Sequence, residues 1–136
     1  MIIGSVITED MLTTWLDGQG VAVIEMDGIG RWGAYSRANR TVALHADLLP
    51  SHRVPVLMHE CLHVSRDDDG HQDRRVEEWI DEEVAGRLVS LPAYAVAEEC
   101  YGWNTGAIAC ELDLPRWVVQ AYRRRLTRVV EGVLSA

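Results

Sequence analysis

The sequence predicts an α+β chain, and three features of it carry that expectation. β-branched runs bounded by glycine turns are confined to residues 21–45. From Ser51 onward the apolar spacing becomes helical. No internal repeat or low-complexity tract interrupts the order of a small hairpin or sheet followed by helices.

Taken in order, TEDMLTTWL (8–16) reads as a short amphipathic helix with Thr8 as N-cap and Glu9 and Asp10 in its first turn. VAVIEM (21–26) lies between DGQG and DGIG and reads as a strand. RWGAYSRANRTVALH (31–45) reads as a hairpin: Trp32 to Tyr35, a polar turn over Ser36 to Asn39, then Thr41 to His45. From Ser51, a candidate cap, to about Arg66, a helix gains an apolar face from Val54, Leu57, Met58, Cys61 and Leu62, with Pro55 expected in the first turn. DDDGHQD (67–73) breaks it. A second helix follows from about Arg74 to Val89 and stops before Pro92, and residues 93–134 read as two or three more.

Composition narrows the function classes. The chain has 136 residues, 48% of them apolar, enough for a real core. No apolar run approaches the ~18 residues that span a bilayer, and the start lacks a basic leader and a small-residue cleavage site, so a cytoplasmic location is expected. The three cysteines (Cys61, Cys100, Cys110) make no C-x-x-C pair and are expected as thiols. All 13 basic residues are Arg, and Phe is absent, as GC-rich coding would favour. A net charge of −8 opposes nucleic-acid binding over the whole surface, although Arg116, Arg123, Arg124, Arg125 and Arg128 form a local basic cluster.

The chemistry concentrates in LMHECLHV (57–64). On a helix, residues four apart share a face, so His59 and His63 can point at one ion. Two neutral imidazoles at ~2.0–2.1 Å suit Zn2+. Glu60 projects about 100° round the helix from His59 and so reaches water beside the metal, where it serves as general base. The bland alternative is a polar stripe on the outward side of a core helix. A hydrolytic zinc site needs a third protein ligand and an open fourth position. His71, eight residues beyond His63, does not fit the longer H-E-x-x-H-x-x-G-x-x-H pattern. The following helix offers Glu77, Glu78, Asp81, Glu82 and Glu83, most of which must belong to a solvated face.

The order of hairpin, H-E-x-x-H helix, short acidic loop and Glu-bearing helix resembles the ImmA/IrrE family of metallo-endopeptidases, in the short form carried by phages and prophages. The resemblance covers roughly residues 20–130. The family's second helix reads E-x-x-A-[ND]-x-x-A-A-x-x-L-[LI]-x-P, and its leading Glu is the third zinc ligand. Laid on EEWIDEEVAGRLV from Glu77, that pattern puts Asp81 at the Asn/Asp position and Val84-Ala85 at the small pair, with Glu78 as the reserve register. Ile80 departs from a small position, and Ser90 stands where proline is common. The resemblance implies a zincin-like metallopeptidase core over residues 1–92, with a helix-turn-helix-like segment over 93–136 packed on it as one domain. It further implies a cytoplasmic endopeptidase that cleaves a repressor-type transcription regulator.

Within the C-terminal segment, TGAIACELDLPRWVVQAYRRRL (105–126) has the apolar spacing of a helix-turn-helix, with Asp113 at the turn. It could bind DNA phosphates or an acidic partner. The plainer expectation is an αα-hairpin whose arginines solvate its outer face. Tyr35 and Tyr94 are candidate donors to an oxyanion, and His71 a candidate substrate contact, although core or rim aromatics and an exposed loop histidine are the commoner cases. Cys61 is expected to pack.

Overall fold

The computed structural model describes residues 6–135. Among them are six helices and one three-stranded sheet, the α+β arrangement that the periodicities predict. The contacts divide into two compact units, one ending at Asp73 and one beginning at Arg74. No helix among the described residues is long and apolar enough to cross a membrane.

In the first unit, helix α1 (Glu9–Gly18) starts where Thr8 Oγ1 accepts the Met11 N–H at 3.2 Å. Strands β1 (Ala22–Met26), β2 (Gly33–Ser36) and β3 (Thr41–His45) form a sheet in the order β1-β3-β2. β2 and β3 are the expected antiparallel hairpin, pairing Gly33 with Leu44 and Tyr35 with Val42. β1 runs parallel to β3, with Val23 beside Val42 and Glu25 beside Leu44. Alternation puts Gly33, Tyr35, Val42 and Leu44 on one face of the sheet. That face meets helix α2 (Pro50–Arg66): Gly33 closes on Val56, and Arg53 Nη1 donates to Glu25 at 2.8 Å. Arg53 also bonds Glu9 in α1, so one guanidinium joins three elements. Leu16, Val42, Leu44 and Leu57 are fully buried and form the centre of this unit.

Helix α2 departs from expectation at its start. Ser51 lies inside it, Leu49 holds the N-cap position without a side-chain bond, and Pro50 opens the first turn. Proline at that position carries no N–H to leave unpaired and has φ already set for the helix, so it replaces a polar cap. Pro55 consequently falls in the second turn, where it removes one backbone bond, but it is fully buried and packs. The helix ends at Asp67, in the left-handed conformation (φ 60°, ψ 35°).

The second unit contains α3 (Arg74–Leu88), α4 (Leu91–Tyr101), α5 (Thr105–Leu112) and α6 (Arg116–Ser135). Ser90 and Asn104 cap α4 and α5 through their side chains. Asp113 adopts the left-handed turn conformation (φ 56°) expected between α5 and α6. Ala85, Tyr94, Ile108, Val118, Val119 and Tyr122 belong to one core cluster. The α6 arginines do not simply solvate an outer face. Arg124 and Arg128 reach the buried Glu82 carboxylate at 3.3 and 3.1 Å, and Arg125 reaches Glu83 at 3.5 Å. Arg123 donates to Tyr94 Oη and Thr105 Oγ1 and lies over the Trp103 ring.

Candidate metal centre

His59 and Glu60 lie in the C-terminal half of α2, and His63 is in its last turn. The two imidazoles are neighbours, with ring centroids 5.0 Å apart and planes inclined at 63°. The triplet is not an outward polar stripe: Glu60 is 5% exposed and His63 2%, while His59 is half-buried. The reason is that α2 is covered on this side as well. Gly33 of β2 presses against it so closely that a Cβ there would stand 3.1 Å from Glu60 Oε2 and 2.7 Å from Val56 Cγ1. Glycine in β2 is therefore what lets the strand pass over a glutamate side chain.

Beyond His63 the chain turns back. The Asp67 N–H bonds the Val64 carbonyl and the Asp68 N–H bonds the His63 carbonyl, both at 3.0 Å. This left-handed helix end sends Asp68 inward, 9% exposed, while Asp67 and Asp69 stay at the surface beside Arg37. Asp68 Oδ2 lies 2.8 Å from His63 Nδ1 and 2.8 Å from Arg66 Nε. Burial alone would raise the Asp68 carboxyl, but the hydrogen bonds from Arg66 and His63 outweigh it and hold the group below the usual aspartate value.

His59, His63 and Glu77 each offer one ligand atom, and these atoms all lie within 4.8 Å of one another, so the group could hold a metal ion. Two imidazoles and one carboxylate form a donor set that suits a first-row divalent cation and leaves coordination positions open. Glu77 is in the first turn of α3. Its neighbour Glu78, the reserve ligand, accepts from Arg74 Nε at 2.9 Å, a bond that lowers its carboxyl from the usual value.

No protein-family model and no curated protein matches this chain. Tyr35 is buried in β2, and its hydroxyl accepts from Arg40 Nη1 at 3.2 Å. Tyr94 donates to Glu98 at 2.6 Å and accepts from Arg123; burial, then the Glu98 contact, raises its phenol. His71 is exposed in the loop after Gly70. Cys61 is buried, and desolvation together with the Glu60 charge pushes its thiol up to about 12, so it packs as a thiol and is poorly suited to ligation or nucleophilic attack. Sequence reasoning missed Gly33 and Asp68. Gly33 carries no signal beyond a glycine in a strand. Asp68 was hidden in a run of three aspartates that reads as solvated.

Proposed function

We propose that this chain is a zinc-dependent endopeptidase with a zincin-like core, in which His59, His63 and Glu77 hold the ion and Glu60 is the general base. The observation that supports it most strongly is the His59–His63–Glu77 group, with a buried glutamate next to its first histidine. When bound, zinc would lower the pKa of water toward ~7 and polarise a peptide carbonyl. Glu60 takes the proton from the attacking water and passes it to the leaving amine. Its burial keeps that proton from exchanging with bulk solvent between the two steps. The resemblance to the ImmA/IrrE family supplies the substrate class, a repressor-type transcription regulator in phage or prophage control, and a cytoplasmic setting.

The test is Glu60→Gln. Zinc retained at the wild-type level with cleavage and derepression lost is the expected result. Derepression that survives Glu60→Gln would instead support a non-catalytic regulator that binds a repressor or DNA through the C-terminal helices. The exposed Val129, Val130, Val133 and Leu134 of α6 suit a protein partner for that reading. DNA suits it less, because Arg124, Arg125 and Arg128 already face Glu82 and Glu83.

A further inference from the structure

We infer that Asp68 is a positioning residue for the metal centre: it fixes the ring of His63 with the proton on Nδ1 and leaves Nε2 to face the ion. The inference rests on the metal-site reading proposed above. An ionised carboxylate only accepts, so the 2.8 Å contact from Asp68 Oδ2 to His63 Nδ1 places the imidazole proton on Nδ1. A neutral imidazole then has its one lone pair on Nε2, the nitrogen available for coordination. Metal-bound histidines commonly donate their other N–H to such a carboxylate, which orients the ring and raises its basicity.

Three features separate Asp68 from an ordinary loop acid. It is 9% exposed, whereas the side chains of Asp67 and Asp69 are 75% and 69% exposed. Its carboxylate is itself held, because Arg66 Nε donates to the same oxygen at 2.8 Å. Its backbone N–H bonds the His63 carbonyl, so residue 68 grips His63 at both the main chain and the ring. The backbone bond alone would end the helix. The side-chain bond adds nothing to helix termination, and its effect falls on the ring.

The experiment measures Zn2+ affinity of the full chain by competition with a chromogenic chelator, for wild type, Asp68→Ala and Asp68→Asn. Tautomer-sensitive 15N spectra of the metal-free His63 ring, and thermal unfolding, accompany it. Asp68→Ala should weaken Zn2+ binding about 10- to 100-fold and release His63 from the Nδ1–H form. Asp68→Asn, whose amide oxygen can still accept, should retain the Nδ1–H form and lose less affinity, which also covers the case in which the alanine variant fails to fold. Unchanged affinity, or an unchanged tautomer in Asp68→Ala, overturns the role of Asp68 alone. A wild-type chain that takes up no Zn2+ overturns the metal site and this inference with it.

Discussion

At the scale of single residues, the structure separates side chains by the direction in which their neighbours push them. Gly33 is the sharpest case, because a Cβ there would stand 2.7 Å from Val56 Cγ1 and 3.1 Å from Glu60 Oε2. Gly33→Ala should force Val56 and Glu60 to move, with a cost of about 1–3 kcal/mol from overpacking. With Glu60 as the proposed base and not a ligand, cleavage should fall more than zinc affinity. Parallel measurement of unfolding, zinc content and cleavage checks this, and equal activity in the alanine variant would remove Glu60 packing from the account. His59 and His63 were legible because two histidines four residues apart share one face of a helix. Asp68 was not, because its inward turn depends on Asp67 adopting φ 60°, which no composition announces.

Among the elements, α2 carries both histidines of the metal group. Its centre is fixed by Leu57, fully buried, and Leu57→Ala should destabilise the chain by about 2–5 kcal/mol in denaturant unfolding. Arg53 ties α2 to α1 and β1 by bonding Glu9 and Glu25. The Arg53 hydrogen bond lowers the Glu9 carboxyl from its ordinary 4.5. The folded chain thus keeps Glu9 charged where the unfolded chain would protonate it. The stabilisation is present above pH 4.5 and is lost as pH falls through the lower folded value. Glu9→Gln should therefore flatten the acid limb of the stability curve and leave its slope near neutrality unchanged, as unfolding at a series of pH values would show. In α3 and α6, Glu82 is buried between Arg124 and Arg128. Glu82→Ala should cost about 1–3 kcal/mol, less than for a fully buried pair because both arginines reach water. Element identity was readable from period and turn chemistry, down to Thr8 and Asp113. The start of α2 was not, since Pro50 displaced the polar cap that Ser51 advertised. The parallel pairing of β1 with β3 was also hidden, because strand order follows from packing and no local pattern encodes it.

At the scale of the whole molecule, an acidic chain of net charge −8 carries, among the described residues, a group of two histidines and a glutamate that could hold a metal ion. The charge was fully legible in the sequence, whereas the destination of the arginines was not. Reading the Glu77 and Glu78 registers from sequence required a family pattern, while in the structure it is Glu77 that joins the histidines. A ligand that binds only the folded chain stabilises it by mass action, about 2.7 kcal/mol at 100 times its dissociation constant. Zinc addition should raise the melting temperature accordingly, and a chelator should reverse the rise. The metal site is tested by the zinc content of the purified chain, measured beside His59→Ala. One zinc per wild-type chain, lost in the variant, is the expected result. Wild-type protein without stoichiometric zinc, or a His59→Ala protein that keeps it, would contradict the account.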